Sequence, residues 1–277
     1  AGHPARSAAS ARRLPTVRRG ELLAELAKSY NLVAVCGSHG KTTTTAMLVT
    51  ALRAAGFPCG YVLGGLFGDA RIPPARVGAN GWLVAEVDES DGTIENFAPA
   101  VTLAVNLDWD HPDFYREQSD LERAFGGLFA RTKQSVIVNR HCALSARVAP
   151  PTALTFGGAG ADFSGEVVSS KGDRMELRLG GRFLMPEASV RARGDFNAAN
   201  STAALAAAQA IGAKLSRELL ENYPGVRRRQ CAVPAAPGLT VIEDYAHHPG
   251  EIRALLGSLR ARVRGGEASR LVVAFQP

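Results

Sequence analysis

The sequence predicts an α/β protein: a mostly parallel sheet of the P-loop type with a β-ribbon insertion, followed by a truncated Rossmann-like unit. Three observations predict it. Apolar runs recur at residues 32–36, 82–87, 101–105 and 136–138, with enough chain between them for crossover connections. The first run meets a glycine turn at 37–40 and then a stretch of helical periodicity, so strand, turn and helix follow in that order. A second strand–turn–helix pattern starts only after Pro224 and Gly225 interrupt the chain.

Taken in order, residues 1–30 read as the tail or junction of a preceding domain. Their acid-free, Arg-, Ser- and Ala-rich start looks superficially like a transit peptide, but the chain opens on Ala1 rather than Met. The first domain is expected over 31–222. After the strand at 32–36, a helix over 42–55 puts Met47, Leu48, Ala51 and Leu52 on one face, and Gly56 stops it. Residues 165–186 read as a β-ribbon with a turn at 171–173, and a long helix starts at Asn197. The second unit, 223–277, offers a strand at 239–243, a turn at DYAHHP, a helix over 249–263 and a last strand at 271–275. Two strands and one helix cannot close a doubly wound domain, so this unit reads as truncated.

Composition removes several function classes. The 277 residues, 46% of them hydrophobic, can bury a substantial core. No apolar stretch approaches the roughly 18 residues of a membrane span, and the Ala-rich run from Ala203 is broken by Gln209 and Gly212. Cys36, Cys59, Cys142 and Cys231 are far apart, without a CxxC pair, which excludes a disulfide framework or zinc knuckle and favours the cytoplasm. The net charge of +6 and pI of 9.4 invite a nucleic-acid reading. The charge is scattered, however, and the one tight run, Arg227 to Arg229, has no interleaved aromatics. A small anionic ligand fits better.

The stretch CGSHGKTTTT supplies the anion site. A glycine turn between strand and helix presents backbone N–H groups and a helix N-terminus, which suits polyphosphate. Gly37, Ser38, His39 and Gly40 form the turn, and Lys41 neutralises phosphate oxygens. The Thr42 hydroxyl binds an accompanying Mg2+, and Thr43 follows in the first turn. The pattern is the short G-x-x-G-K-T; Val35 stands where the longer phosphate-loop pattern has its first glycine. The bland alternative is a Gly-rich turn with an exposed lysine. Glu86 closes a buried apolar run, where a carboxylate is costly unless it meets a cation. Asp88, Glu89 and Asp91 follow it, either as further ligands or as a solvated loop. His111 comes after another strand and reads as structural, exposed or metal-binding. Asn197 and Asn200, three apart on a helix, can face an adenine edge or cap the helix.

Six motifs in this order resemble the Mur ligase family of ATP-dependent amide-forming enzymes of peptidoglycan synthesis: CGSHGKTTTT, AEVDESD (85–91), NLDWDH (106–111), GDFNAAN (194–200), GVRRR (225–229) and DYAHHPGEIRALL (244–256). Within the family they are most similar to the branch that joins L-alanine to UDP-N-acetylmuramate. The resemblance implies ATP and Mg2+, with Glu86 and His111 as metal ligands and Asn197 and Asn200 at the adenine. It further implies Arg229 at a phosphate, with Arg228 the alternative because Gln230 replaces the usual Phe. Asp244 would then meet the ribose, and Tyr245 and His247 the incoming amino acid, with His248 structural. Lys41, Glu86, His111 and Arg229 are the implied catalytic set. The chemistry implied is attack of the muramoyl carboxylate on the ATP γ-phosphate and displacement of the acyl phosphate by the amine. The family's leading UDP-binding domain and its amino-acid carboxylate site are expected to lie largely outside this sequence. A monomer or weak homodimer, no nucleic acid and no membrane are expected. Three other readings stand beside this one: a ligase that recycles murein tripeptide, against which DESD argues; an ATP-binding module without ligation; and a basic RNA-binding protein.

Overall fold

The computed structural model describes residues 3–109 and 114–276. In chain order, helices α1 (Pro4–Ala11) and α2 (Arg19–Ala27) precede β1 (Asn31–Cys36) and α3 (Lys41–Ala54). Short strands β2 (Gly60–Val62) and β3 (Ala75–Arg76) lead to β4 (Trp82–Glu86), a 3-10 turn (Thr93–Asn96) and β5 (Val101–Ala104). Then come α4 (Gln118–Ala130), β6 (Ser135–Asn139), α5 (Ala143–Val148) and β7 (Leu154–Gly157). The ribbon strands β8 (Phe163–Lys171) and β9 (Arg174–Gly181) precede β10 (Glu187–Val190) and α6 (Asp195–Ala210). The second unit holds β11 (Cys231–Val233), β12 (Val241–Glu243) and α7 (Pro249–Arg264).

Ten strands form one sheet in the order β10-β9-β8-β7-β6-β5-β1-β4-β2-β3. It is parallel from β8 through to β2 and antiparallel at both margins. The alternation of side chains along β1 builds two cores. Val33 and Val35 face a cluster shared with α3 and α6, whereas Leu32, Ala34 and Cys36 face one shared with α2 and α4. Both faces are covered, which is why the central strands read as unbroken apolar runs. Between α3 and α6 the fully buried Ala46, Ala51, Ala203, Ala204 and Ala207 replace bulk with close approach.

The expected α/β fold with its ribbon is present, the turn falling at Gly172 (φ +63°) and Asp173. Within residues 1–30, α2 buries Leu23, Ala24 and Ala27 in the sheet's core. One expectation needs correcting: the strand expected at 271–275 does not form. Among the described residues β12 pairs only with β11, and Val272, Val273 and Phe275 remain exposed. An extended apolar segment without a ladder partner gains neither hydrogen bonds nor burial.

Candidate functional site

β1 runs between β5 and β4, so three parallel strands end side by side and deliver the 37–40 loop, Glu86 and Asn106 to one edge. The loop's shape depends on its glycines. Gly37 sits at φ +126°, and a Cβ there would lie 2.4 Å from the Asn106 carbonyl oxygen. Asn106 clamps the loop from below: its Oδ1 accepts the His39 N–H at 2.8 Å and its Nδ2 donates to the His39 carbonyl at 2.9 Å. The Ser38 hydroxyl donates to the Asp108 carbonyl and accepts the Asp108 N–H, both at 2.8 Å. Helix α3 begins at Lys41, and the first-turn N–H groups of any helix lack an intrahelical acceptor. The result is a rigid loop ending in an anion-seeking helix terminus.

Lys41 is not the exposed lysine of the bland alternative. Its side chain is 12% exposed and lies 3.0 and 3.1 Å from the two Glu89 carboxylate oxygens and 4.0 Å from Asp88. Burial works against its charge, but Glu89, Asp88 and Glu86 outweigh that penalty and hold its pKa above the ordinary value. Glu89 itself is buried, and burial pushes its carboxyl up against the pull of Lys41. Asp88 stays lower than usual: burial opposes its charge, and Lys41 together with the Ser90 N–H prevails. Glu86 accepts the Thr42 hydroxyl at 3.1 Å and the Gly64 N–H at 3.2 Å, yet burial leaves its pKa raised. Behind this cluster the Tyr115 hydroxyl donates to the Glu89 carbonyl at 2.8 Å, and the Trp109 indole N–H to the Tyr115 carbonyl at 3.2 Å. His111 lies outside the described residues.

A cavity of about 890 Å³ opens beside the loop, lined by His39, Gly40, Asn197, Asn200, Arg229 and Asp244 among others. Asn197 and Asn200 are buried in the first turns of α6; Asn197 donates to the Arg193 carbonyl at 2.8 Å, and Asn200 reaches Asn197 at 3.3 Å. Asp244 accepts the Gln230 and Ala246 N–H groups, both at 2.7 Å, which ties the arginine run to the DYAHHP turn. Arg229 lies 3.6 Å from Glu251, while Arg228 and Arg229 both stand over the Tyr245 ring, at 4.5 and 5.3 Å. Tyr245 and His247 are exposed, and His248 is the N-cap of α7, its Nδ1 accepting the Gly250 N–H.

The arrangement is that of a nucleotide-type loop facing a second unit across a cavity. Residues 35–208 match the Mur ligase middle domain. The chain belongs to the Mur ligase family. Its curated Mur ligase relatives include the UDP-N-acetylmuramate–L-alanine ligases of Mycolicibacterium smegmatis, 36% identical over 96% of this chain and 58% of the relative, and of Sorangium cellulosum, 37% identical over 95% and 58%. The chain therefore spans less than two thirds of the length of these relatives. Among solved structures, the UDP-N-acetylmuramate-alanine ligase MurC of Thermotoga maritima superposes with a TM-score of 0.79 at 28% identity, covering 93% of this chain and 60% of that one. A murein peptide ligase from Psychrobacter arcticus has a TM-score of 0.69 at 21% identity over 95% of this chain and 61% of that one, a likeness of fold alone.

Three residues of this Mur ligase site were not singled out from sequence: Glu89, Asn106 and Glu251. Glu89 was one acid in a cluster of three, and only its burial sets it apart. Asn106 and Glu251 stood inside quoted motifs, but the loop residue each of them meets, His39, is 67 and more than 200 positions away. A polar residue just after a buried strand is the signal that Asn106 did give.

Proposed function

We propose that this chain carries the ATP site of a ligase that joins L-alanine to UDP-N-acetylmuramate in the cytoplasm, a step of peptidoglycan precursor synthesis. The observation that carries the reading is that His39 and Gly40 of the loop line one cavity with Asn197, Asn200, Arg229 and Asp244, while Lys41 and the Thr42–Glu86 pair follow directly at the start of α3. Phosphates belong at the loop, adenine near Asn197 and Asn200, and ribose near Asp244. In this reading residues 31–222 are the ATP-binding domain, 223–277 part of a domain that supplies Arg229, Tyr245 and His247, and 1–30 its lead-in.

Mg2+ fits the residues present. A hydroxyl and a carboxylate are hard oxygen donors, and Glu86, whose charge burial disfavours, is stabilised as an anion beside a cation. Thr42 and Glu86 would hold it, with His111 the further ligand that the resemblance implies; when bound, it neutralises phosphate charge. The protein's own part is positional. Lys41 exchanges Glu89 for phosphate oxygens, the first-turn N–H groups of α3 receive the remaining charge, and Arg229 faces the same space. The muramoyl carboxylate attacks the γ-phosphorus as ADP leaves, and the alanine amine then attacks the acyl carbon as phosphate leaves. Phosphoryl transfer of this kind needs alignment and charge neutralisation, with no side-chain nucleophile.

Lys41→Ala tests the reading. Calorimetry should show Mg-ATP affinity reduced by about 100-fold or more, because a charge-assisted contact inside a desolvated site is lost. A melting curve checks that the variant is folded, and Thr42→Val gives a second variant that leaves the Lys41–Glu89 pair intact. Unchanged affinity in both would remove the phosphate-loop assignment.

A further inference from the structure

Glu251 lies in the first turn of α7, and its two oxygens do different things. Oε2 accepts the His247 backbone N–H at 3.3 Å, as an acid early in a helix does for the residues that precede it. Oε1 points across the cavity wall, 3.5 Å from His39 Nδ1 on the phosphate loop and 3.6 Å from Arg229 Nη1. The His39 ring is stacked on His248 at 4.4 Å, and its Nε2 is 3.3 Å from Asp108. The Glu251 side chain is only 13% exposed, although α7 buries none of its residues. Helix capping accounts for Oε2 alone. A desolvated carboxylate oxygen set between an imidazole and a guanidinium occupies the kind of place a phosphate oxygen takes.

We propose that Glu251 is a positioning residue that stands in for phosphate: it seats the second unit on the loop through His39 and holds Arg229 beside it, and a polyphosphate displaces it from Arg229. The proposal rests on reading the cavity as an ATP site. It makes Glu251 a competitor of the ligand as well as a guide for Arg229, which reaches the phosphates already aimed at the loop. Removing the charge should therefore help binding and weaken the aim.

The test is a double-mutant cycle on the full 277-residue chain, with Mg-ATP as the probe and calorimetry as the readout. Glu251→Gln keeps an oxygen for the His247 N–H, so the start of α7 is retained. It should bind Mg-ATP about five-fold more tightly than the unaltered chain, the size expected from one like charge removed at short range in a partly solvated site. In an Arg229→Ala background the same substitution should change nothing. Equal or weaker binding by Glu251→Gln, or the same gain in both backgrounds, overturns the proposal. A measurement without any variant guards against misfolding: the Arg229 side-chain N–H resonances should shift when Mg-ATP is added. Binding heat with those resonances unmoved overturns the proposal while leaving the ATP site standing. No binding by the unaltered chain overturns both.

Discussion

Helices α3 and α7 are nearly equal in length, 14 and 16 residues, and each follows a strand and a turn that open on the same cavity. Their surroundings are opposite. α3 buries nine residues, among them Thr44, Thr45, Met47 and Leu52, while α7 buries none. Among the described residues neither core cluster contains anything beyond Val226. The first unit is thus placed by apolar burial, whereas beyond Val226 the second is held to it by Glu251 and His248 against His39 and by the Arg193–Glu267 pair. Burial fixes an element against everything except unfolding. Charge contacts can be exchanged for those of a ligand, so the part of the molecule able to move is the part the core does not hold.

That contrast can be broken in three places. The largest effect is expected at Phe125, fully buried against Phe129 in the α4 face of the core. Phe125→Ala should lower unfolding stability by about 3–5 kcal/mol, read from urea denaturation. Next comes acid. Burial pushes the Glu251 carboxyl up, but the His39 hydrogen bond and the Arg229 charge outweigh it and bring the group down to about 2 from the usual 4.5. A carboxyl lowered on folding stabilises above its unfolded value, so the contact is complete above pH 4.5 and is lost as the pH falls toward about 2. Hydrogen exchange should show α7 losing protection across that window while the β1–β4–β5 ladders keep theirs; simultaneous loss would mean that the two units share one core. The smallest effect belongs to Val272, which is 73% exposed. Val272→Ala should change stability by less than about 0.5 kcal/mol, and a larger loss in the same urea measurement would reveal a packed second unit.

Where sequence succeeded, the physics was local. The glycines at 37–40 are visible because a sharp turn into a helix needs backbone that side chains rarely adopt, and the apolar runs are visible because strands covered on both faces have no polar side. It failed where a partner decides the outcome. The 271–275 run is continuously apolar, as a buried strand would be, but no neighbouring strand pairs with it among the described residues. Glu89 is indistinguishable in DESD from the acids beside it until Lys41 and Tyr115 surround it. α2 did carry a readable signal, since Leu23, Ala24 and Ala27 recur at helical spacing, and it was hidden by the basic, acid-free stretch before it.

The chain Trp109–Tyr115–Glu89–Lys41 has a practical side. Of the two tryptophans, Trp82 is lodged on β4 beside Phe57, whereas Trp109 is 49% exposed and tied by its indole N–H to the residue that holds Glu89. One fluorophore is thus fixed in the scaffold as a steady background, and the other lies one position beyond the Asp108 that fastens Ser38. The molecule contains its own optical gauge of the 37–40 loop. Emission colour and the access of a soluble quencher to Trp109 follow that loop in real time, with no dye attached and no residue replaced.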